Sequence, residues 1–408
     1  MNSEWKHTTI GECLHLSNGK SRPTDGGSLN VFGSNGVIGS CQEENSPADT
    51  IIIGRVGTYC GSLHFSDQRC WVTDNAIKAL PRNGFDGRFL FNLLKTCDLA
   101  RLRAGSGQPL LNQSIVGGIE VSIPPYPQQI AIAHILGTLD DKIELNRKTN
   151  ETLEGIAKAL FKSWFVDFDP VRAKAEGRPT GLPDEISELF PDSFEESELG
   201  DIPSGWSVAE IGDLLDLERD SVTPSDSGEE IFDHYSIPAF DEGLMPSLEA
   251  GQSIKSNKYL VTDGVFMVSK LNPRFPRIWV PSKYTSRRRI CSTEFLVCRP
   301  KVKIDTPFAL HVTKSRSVVQ QMSDLASGTS NSHQRVRPAD FVGLPFVKPS
   351  AALVKLFSEM VGPMLDKHLL TRDENQALSK SRDTLLPRLI SGELRIPDAE
   401  NMLEEAGV

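Results

Sequence analysis

The chain has 408 residues, a formal net charge of −10 at pH 7, and 38% hydrophobic and 24% charged residues. This length exceeds a single hydrophobic core. The sequence contains no signal peptide and no apolar run near the roughly 18 residues of a membrane helix, which excludes a membrane protein and predicts a cytoplasmic one. The seven cysteines form no Cys-x-x-Cys pair, which argues against a disulfide framework and a zinc site and predicts buried thiols.

The chain is internally duplicated. Five residues near the N-terminus recur at a constant offset of 201: Trp5, Ile10, Gly11, Leu14 and Leu16 return as Trp206, Ile211, Gly212, Leu215 and Leu217. A repeat of this length is too long for a solenoid unit of about 20 to 50 residues. It therefore predicts two similar domains, and two similar domains imply a target made of two parts.

The repeat and the helical patterns divide the chain into alternating globular and helical segments. We predict a first globular domain at 1–125, a long helix at 126–175, an acidic linker at 176–204, a second globular domain at 205–345, a second long helix at 346–396 and a tail at 397–408. Short apolar runs between turn residues indicate strands at 50–53, 76–80 and 264–268, and helices are expected at 89–101 and 307–325. The predicted fold class is α+β.

The first long helix carries a heptad-like seam, whose positions step by alternating fours and threes. After Ile132 the seam consists of Leu136, Leu139, Ile143, Asn146, Asn150, Leu153, Ala157, Leu160 and Trp164. Adding 225 gives a second, less apolar seam that includes Asn375, Leu378, Leu385 and Leu389. Two seams of equal length predict an antiparallel coiled-coil pair with an internal pseudo-twofold axis, which holds the globular domains apart. The alternative is two core helices of unrelated domains.

Four polar or helix-breaking positions in these helices carry sharper expectations. Pro363 and Pro387 each lack a backbone donor and should kink the second helix or mark its ends. Asn150 and Asn375 occupy the same seam position near the middle of each helix, so we expect them to lie close together. A polar seam residue fixes the register, and here the register would set the distance between the domains. In the alternative, both asparagines face water.

The net negative charge hides a local reversal of sign. Residues 206–254 include twelve acids and one base, whereas residues 255–340 include sixteen bases and five acids. Binding to phosphates requires clustered cations. The second segment supplies Lys270, Arg274, Arg277, Arg287, Arg288 and Arg289. We expect these residues to contact DNA phosphates, and the alternative is a solvated basic face.

The sequence shows no catalytic or metal-binding motif. Residues 123–126 resemble the Asn/Asp-Pro-Pro-Tyr motif of amino-methyltransferases, but Ile123 lacks the polar side chain that holds the target amine. The glycines at 33–39 lack the Lys-Ser/Thr of a phosphate-binding loop, and the eight histidines show no metal-ligand spacing. We therefore predict a chain that is not an enzyme by itself and binds no metal.

Several segments together are typical of one protein family. They are GSGQ at 105–108, IPP at 123–125 with QQIA at 128–131, LFKSWFVDFDP at 160–170, ELGDIPSGW at 198–206 and LLPRLISGEL at 385–394. On these segments the chain resembles the specificity subunits of type I restriction-modification enzymes. The resemblance implies two target-recognition domains, each reading one half of an asymmetric bipartite DNA site. It also implies helices that set the spacer and dock methyltransferase subunits. Residues 327–334 depart from the family's loop pattern.

The resemblance further implies the partners and their cofactors. The chain would bind double-stranded DNA, DNA adenine methyltransferase subunits, two of them, and ATP-dependent restriction subunits. S-adenosylmethionine, ATP and magnesium would be bound by those partners and not by this chain. Two alternatives stay open: a specificity subunit of a related restriction or phage-defence system, and a coiled-coil scaffold without DNA binding. A scaffold would show no salt-dependent affinity for DNA.

Polar loop residues are the candidates for reading bases. In the major groove, arginine pairs with guanine, and asparagine or glutamine pairs with adenine. The first domain offers Ser106, Gln108, Asn112 and Gln113, and the second offers Asn331, His333, Gln334 and Arg335. Arg55 and its approximate counterpart Lys270, each after a strand-like run, complete the set. The alternative is that these side chains cap turns.

Overall fold

In a computed structural model, which describes residues 5–102, 110–283, 285–327 and 334–405, the chain forms two compact units. The first unit combines Met1–Leu145 with Asn375–Val408, and the second consists of Asn146–Glu374. Two 40-residue helices each contribute one part to each unit. Within the described residues, no helix combines the length and the apolar character that crossing a membrane requires.

The first unit alternates short strands and helices before the first long helix. In chain order these are β1 (Lys6–Thr9), α1 (Ile10–Cys13), β2 (Leu14–Asn18), β3 (Leu29–Gly33), β4 (Gly36–Cys41), β5 (Thr50–Gly54), β6 (Leu63–Ser66), β7 (Trp71–Val72), β8 (Ala76–Pro81), α2 (Gly87–Lys95), α3 (Gln113–Gly117), β9 (Glu120–Ile123) and α4 (Tyr126–Phe165). β1 pairs with β9, and β2-β8-β5-β6 form an antiparallel sheet. A smaller sheet has the order β4-β3-β7.

The second unit follows the same plan with additional elements. These are α5 (Asp169–Ala175), α6 (Asp184–Ser187), β10 (Phe194–Ser197), β11 (Gly200–Pro203), β12 (Ser207–Glu210), α7 (Ile211–Leu214), β13 (Leu215–Glu218), β14 (Ser221–Val222), β15 (Ile231–Tyr235), α8 (Ile237–Gly243), β16 (Ser247–Ala250), β17 (Lys258–Leu260), β18 (Phe266–Ser269), β19 (Ile278–Trp279), β20 (Arg289–Cys291), β21 (Phe295–Pro300), α9 (Thr306–Lys314), α10 (Arg316–Leu325), α11 (Pro338–Val342), β22 (Pro345–Lys348) and α12 (Ala351–Ile390). The chain then returns to the first unit with α13 (Ile396–Glu405).

The sheets of the second unit correspond to those of the first. β12 pairs with β22, and β13-β21-β18-β19 repeat the order of β2-β8-β5-β6. The five-stranded sheet β14-β17-β20-β15-β16 contains the pattern of β4-β3-β7, with β14 and β17 added. The mixed α and β content predicted from the sequence is therefore confirmed.

The sequence repeat reappears in the boundaries of the elements. β12, α7 and β13 begin at the repeated positions of β1, α1 and β2, whereas α11, β22 and α12 follow α3, β9 and α4 at the larger offset of the two helical seams. The repeated glycine has a steric cause in both units. A Cβ on Gly11 would lie 3.1 Å from the Gly117 carbonyl oxygen, and one on Gly212 would lie 3.2 Å from that of Val342. Since Gly117 ends α3 and Val342 ends α11, both units need the same close helix approach.

The core of the first unit joins residues from both ends of the chain. Phe89, Leu90 and Leu93 of α2 pack against Ile51 and Ile53 of β5. The side chain of Asp86 caps this helix by accepting from the Phe89 N–H at 2.8 Å. The C-terminal region adds buried residues to the same cluster: Leu378, Leu385, Leu389, Ile390, Leu394, Ala399 and Leu403.

The core of the second unit is rich in aromatic rings. Phe161, Trp164 and Phe165 of α4 meet Phe308 of α9 and Phe357 of α12, with ring centroids 5.2 to 6.5 Å apart in the contacting pairs. Aromatic pairs at such distances add to the stabilisation that burial provides. The LFKSWF segment of the sequence therefore belongs to a core.

The long helices run antiparallel in both units. In the first unit, Arg382 donates to Asp140 at 2.8 Å, and the Asn375 amide donates to the Ile143 carbonyl at 3.2 Å. In the second unit, the Asn150 amide donates to the His368 carbonyl at 3.4 Å. Residues further along α4 thus meet residues earlier in α12. The predicted seam positions, from Leu136 to Trp164 and from Asn375 to Leu389, are buried or half-buried.

The two prolines of the second long helix differ in position. α12 continues through Pro363, which therefore marks no end of the helix, whereas Pro387 lies in the last turn, next to the end at Ile390, as one of the two expectations had it. Pro363 lacks a backbone N–H and so removes one hydrogen bond of a helix that nevertheless continues through it.

Three helices end earlier than the sequence indicated. The second long helix, expected at 346–396, spans Ala351–Ile390, and the segment expected as a tail at 397–408 mostly forms α13 instead. The other two helices break at one residue each. The helix expected at 89–101 stops at Lys95, because Asp98 adopts a left-handed φ of 41°. The helix expected at 126–175 is divided in a similar way: α4 ends at Phe165, and Phe168 adopts a left-handed φ of 57° immediately before α5. In both places one residue turns the chain out of the helical path.

The helix expected at 307–325 and the linker expected at 176–204 also differ from the structure. Ser315 divides the former into α9 and α10, because its side chain caps α10 by accepting from the Val318 N–H at 3.3 Å. The latter is folded: it contains α6, β10 and β11, and Phe190 packs edge-on against Trp164 at 5.2 Å. Six of the seven cysteines are buried and Cys97 is half-buried, as expected.

Candidate nucleic-acid interface

In the first unit, the end of β5 lies beside the base of a predicted reading loop. The Arg55 N–H donates to the Asn75 carbonyl at 3.0 Å, and the Arg55 carbonyl accepts from the Leu111 N–H at 3.0 Å. Val56 forms a β-bridge with Leu110. Two predicted base readers, Ser106 and Gln108, precede Leu110 and lie outside the described residues. Arg55 is thus positioned at the point where their segment returns to the sheet.

The second unit repeats this arrangement at the end of β18. The Lys270 carbonyl accepts from the Val336 N–H at 3.1 Å, and the Asn272 N–H donates to the Gln334 carbonyl at 2.9 Å. Leu271 forms a β-bridge with Arg335, as Val56 does with Leu110. The predicted readers Asn331 and His333 lie outside the described residues. The structure therefore places Lys270 where it places Arg55, which sequence position alone had only approximated.

Arg55 and Lys270 have no carboxylate partner in the described part of the chain. Within the same residues neither side chain forms an ion pair, and the buried Nε of Arg55 has no hydrogen-bond partner. Both side chains are half-buried, so each emerges from the end of a buried strand with its charge uncompensated by the described residues. Such groups are suited to bind an anion or a guanine edge.

The three consecutive arginines are all engaged in ion pairs. The Arg287 Nε lies 2.7 Å from Asp233, Arg288 lies 3.1 Å from Glu230, and Arg289 lies 2.6 Å from Asp263. Arg289 also donates to the Ser282 carbonyl at 2.7 Å. Phosphate binding by these side chains would require breaking a carboxylate pair, so the structure does not favour the predicted phosphate cluster.

Two further predicted residues are held by bidentate ion pairs. Arg277 donates to both oxygens of Asp241 at 2.7 and 2.8 Å, and this hydrogen bonding lowers the pKa of the Asp241 carboxyl. Arg335 donates to Glu294 at 2.9 to 3.2 Å, which raises the pKa of the Arg335 guanidinium. Arg274 differs from both, because it is exposed and lies over the Phe275 ring at 4.9 Å.

The predicted amide readers of the first unit have structural roles. The Asn112 side chain caps α3 by accepting from the Ile115 N–H at 2.8 Å, and the Gln113 side chain hydrogen-bonds Asn18 at 3.1 Å. In the second unit, Gln334 is half-buried, and its backbone carbonyl accepts from the Asn272 backbone N–H. The turn-capping alternative therefore fits Asn112. Among the described residues, Gln113 caps no turn but makes a contact within the unit.

The basic segment is partly neutralised by the acidic segment that precedes it. Asp216, Glu218, Glu230, Asp233 and Asp241 each pair with a base from beyond residue 270. Residues 206–340 contain seventeen acids and seventeen bases. Opposite charge runs in one folding unit were the sequence signal for this pairing. The cations of the second unit that remain available to a ligand are therefore fewer than its sequence suggests.

Two exposed aromatic residues lie in the same connections as Arg55 and Lys270. Tyr59 follows Arg55 and is 52% exposed, and Phe275 follows Lys270 and is 55% exposed. Sequence reasoning missed both residues. Aligning the two copies on the ends of β5 and β18 would have revealed an aromatic residue four or five positions later in each.

Comparison with known proteins identifies what the chain is similar to. A family model described as a type I restriction modification DNA specificity domain matches residues 2–155. The type I restriction enzyme HindI specificity subunit of Haemophilus influenzae is 27% identical over 384 residues, covering 79% of each chain. The MjaIX specificity subunit of Methanocaldococcus jannaschii is 25% identical, covering 78% of this chain and 72% of the relative.

A solved structure has the same fold. The crystal structure of the type I restriction-modification system S subunit from M. genitalium superposes with a TM-score of 0.65 and 16% sequence identity. The match covers 95% of this chain and 97% of that chain. The chain therefore has the fold of that S subunit.

Proposed function

Because the chain belongs to the specificity subunits of type I restriction-modification enzymes, we propose that each of its two units reads one half of a bipartite, asymmetric DNA site. One observation carries the proposal. A cation without a carboxylate partner among the described residues lies at the end of the corresponding central strand in both units, Arg55 after β5 and Lys270 after β18, next to the end of a predicted reading loop. Duplicated elements that serve only packing would not require an uncompensated charge at both positions.

The long helices would set the spacing between the two half-sites. α4 and α12 contribute buried seam residues to both units, so their length and register would fix how far apart the half-sites lie. As an antiparallel coiled-coil pair with a pseudo-twofold axis, they would also dock two methyltransferase subunits. Their polar middle, with Asn150 and Asn375, would select one register.

Chemistry would belong to the partners. The methyltransferase subunits would bind S-adenosylmethionine and take the target adenine out of the duplex. ATP and magnesium would act on the restriction subunits. This chain would supply sequence recognition without catalysing a step, and it would work in the cytoplasm, where DNA is available to it.

Methylation mapping tests the proposal directly. The gene is expressed with its methyltransferase partner in a host that lacks adenine methylation, and methylated adenines are mapped with and without this gene. We expect a two-part motif with a fixed spacer that requires the chain. Arg55→Ala and Lys270→Ala should each lower DNA affinity and flatten its salt dependence by about one phosphate contact. Methylation that does not depend on the chain would refute the proposal.

A further inference from the structure

Exposed aromatic rings are rare in this protein, and two of them occupy corresponding positions. Among the described residues, the exposed aromatic side chains are Tyr59, Tyr126 and Phe275. Tyr59 lies in the connection 55–62 between β5 and β6, and Phe275 lies in the equally long connection 270–277 between β18 and β19. A large ring is thus exposed in both copies of one connection, although burial would be the favourable state of such a ring in the absence of a ligand.

Both connections are held in shape by their own hydrogen bonds. In 55–62, the Cys60 N–H donates to the Gly57 carbonyl at 3.0 Å, and the Ser62 N–H donates to the Tyr59 carbonyl at 3.1 Å. Gly57 has a φ of +73°, which a side chain would strain. The ring of Tyr59 is therefore presented by an ordered turn, and binding through it costs little conformational entropy.

The connection in the second unit reaches the same result by different means. Asn272 adopts a left-handed φ of 48°, and the Phe275 N–H donates to the Asn272 carbonyl at 3.0 Å. The bidentate pair of Arg277 with Asp241 anchors the end of the connection. Two chemically different turns thus expose one aromatic ring each, so the exposure does not follow from a shared turn sequence.

The surroundings of the rings indicate the ligand. Each connection begins with a cation that has no carboxylate partner in the described structure, Arg55 or Lys270, and each is bridged to the end of a predicted reading loop, through Leu110 or Arg335. Arg274 adds a third cation directly over the Phe275 ring. A short connection that carries both cations and an exposed ring fits a nucleic-acid surface, where phosphates contact the cations and base edges contact the ring.

We propose that Tyr59 and Phe275 are apolar base contacts of the two half-sites, each packing against the C5-methyl group of a thymine in the major groove. This inference rests on the proposed DNA-recognition function and names residues that determine its specificity. Phe275 offers only apolar contact, whereas Tyr59 adds a hydroxyl that can donate to or accept from a neighbouring base. The two half-sites would therefore be read differently at equivalent positions.

The test uses the chain assembled with its methyltransferase subunits and the mapped target. Tyr59→Ala should lower methylation of the bipartite site roughly 10-fold or more and relax the sequence of the half-site read by the first unit, with the sequence of the other half-site unchanged. Phe275→Ala should do the converse, so each variant controls the other. Leu248→Ala removes an equally exposed apolar side chain, 58% exposed, from β16 and should change neither half-site. The salt dependence of affinity should stay the same in all three.

Replacing individual thymines by uracil removes only the methyl group and sharpens the test. At one uracil position, the affinity of the unmodified protein should fall by the same factor by which the Phe275→Ala substitution lowers affinity for the unmodified DNA. The affinity of Phe275→Ala should not fall further at that position. Phe275→Leu, which keeps an apolar group, should retain most of the affinity. A half-site at which no thymine methyl matters to the unmodified protein would overturn the assignment.

Other outcomes separate this inference from the proposed function. If the unmodified chain directs methylation to a bipartite site while both alanine variants leave its sequence unchanged, this inference alone fails. If the alanine variants fold but no longer assemble with the methyltransferase, the rings face a protein partner and the inference also fails. An unmodified chain that directs no methylation would instead remove the proposed function.

Discussion

The two units share an order of elements but differ in what their charges do. Each unit has a cation without a carboxylate partner among the described residues at the end of its central strand, Arg55 or Lys270. The second unit adds five arginines that the sequence predicted to bind DNA and that are paired instead: Arg277, Arg287, Arg288, Arg289 and Arg335. The more basic sequence therefore does not offer proportionally more free positive charge. A run of basic residues in a sequence therefore indicates an accessible positive surface only if those side chains have no acidic partners in the folded unit.

The units also differ in how the chain closes them. The second unit is continuous from Asn146 to Glu374, whereas the first needs Asn375–Val408 to complete its core. A continuous unit can fold from one stretch of sequence, whereas the core of the first unit is incomplete without the last residues of the chain. The two units should accordingly respond in opposite ways to truncation.

Removal of residues 375–408 should produce the largest difference between the units. The first unit would lose Leu378, Leu385 and Leu389, which are at most 4% exposed. Each lost buried leucine costs about 2 to 5 kcal/mol, and a whole domain is stable by only about 5 to 15 kcal/mol. Hydrogen exchange should show β5 unprotected and β18 still protected. Retained protection of β5 would contradict the closure of the first unit by the C-terminus.

A chain ending after Pro170 should recover the lost core by dimerisation. Leu153, Leu160 and Trp164 occupy the positions of the first seam that correspond to Leu378, Leu385 and Leu389 of the second, so a second copy can supply seam residues in their place. We expect a dimer that, with methyltransferase, methylates a palindromic bipartite site. Sedimentation and methylation mapping test this, and a folded monomer or an asymmetric motif would speak against it.

Acid should destabilise the second unit through His311, for which the first unit has the non-titrating Asn92 at the corresponding position of α2. Burial against Phe161 and Phe357 lowers the pKa of His311 to about 4, with smaller effects from Lys314 and Glu154. The unfolded chain therefore takes up the proton first. The contribution of neutral His311 to the free energy of unfolding is complete above pH 6.5. As the pH falls towards 4, this contribution is lost, and the second unit loses on the order of 3 kcal/mol of stability.

The His311→Asn variant is the matched test of this pH dependence. It gives the second unit the residue of the first, so its unfolding free energy should vary less between pH 6.5 and 4, whatever its packing cost at neutral pH. Denaturant titrations of both proteins across this range provide the comparison. Parallel pH profiles would assign the acid sensitivity to other groups.

Arg287→Ala should destabilise the second unit by roughly 2 kcal/mol, because it leaves the Asp233 side chain, 3% exposed, with Thr285 as its remaining side-chain donor in the described structure. A fully buried pair would cost more, but Arg287 is 44% exposed and partly screened. Arg288→Ala, which breaks a more exposed pair, should cost less than about 1 kcal/mol. Neither change should alter the salt dependence of DNA binding. A flatter salt dependence would restore the phosphate role of this run.

Local patterns predicted the parts of the fold that depend on short-range order. Buried strands such as β5 and β18 and the seams of α4 and α12 follow from apolar spacing alone. The breaks near Asp98 and Ser315 depend on a single φ angle and a single cap, which spacing does not encode. The site divides in the same way. Arg55 and Lys270 could be found because they end strands, whereas the charge pairs could not, since their partners are distant in sequence.

The smallest effect on stability, and a sharp one on specificity, is expected at the asparagines of the two helices. Asn150 donates to the His368 carbonyl and accepts from the Thr371 hydroxyl, and Asn375 donates to the Ile143 carbonyl. Because Ile143 and His368 occupy the same position in the two seams, both asparagines make the same bond to the facing helix. These bonds can form in only one register of the two helices. An apolar residue at the same position would not distinguish that register from its neighbours.

Replacing both asparagines by leucine should therefore change the free energy of unfolding by no more than about 1 kcal/mol, in favour of the folded state. Thr371 keeps its bonds to the Lys367 and His368 carbonyls at 2.9 and 3.1 Å, so no buried hydroxyl is left unpaired. What should be lost is alignment: methylation should spread to sites whose spacer is longer or shorter than that of the unmodified protein. Mapping with the Asn150→Leu and Asn375→Leu single variants shows whether one bond suffices. An unchanged spacer in the double variant would mean that the apolar seam, and not the asparagines, sets the register.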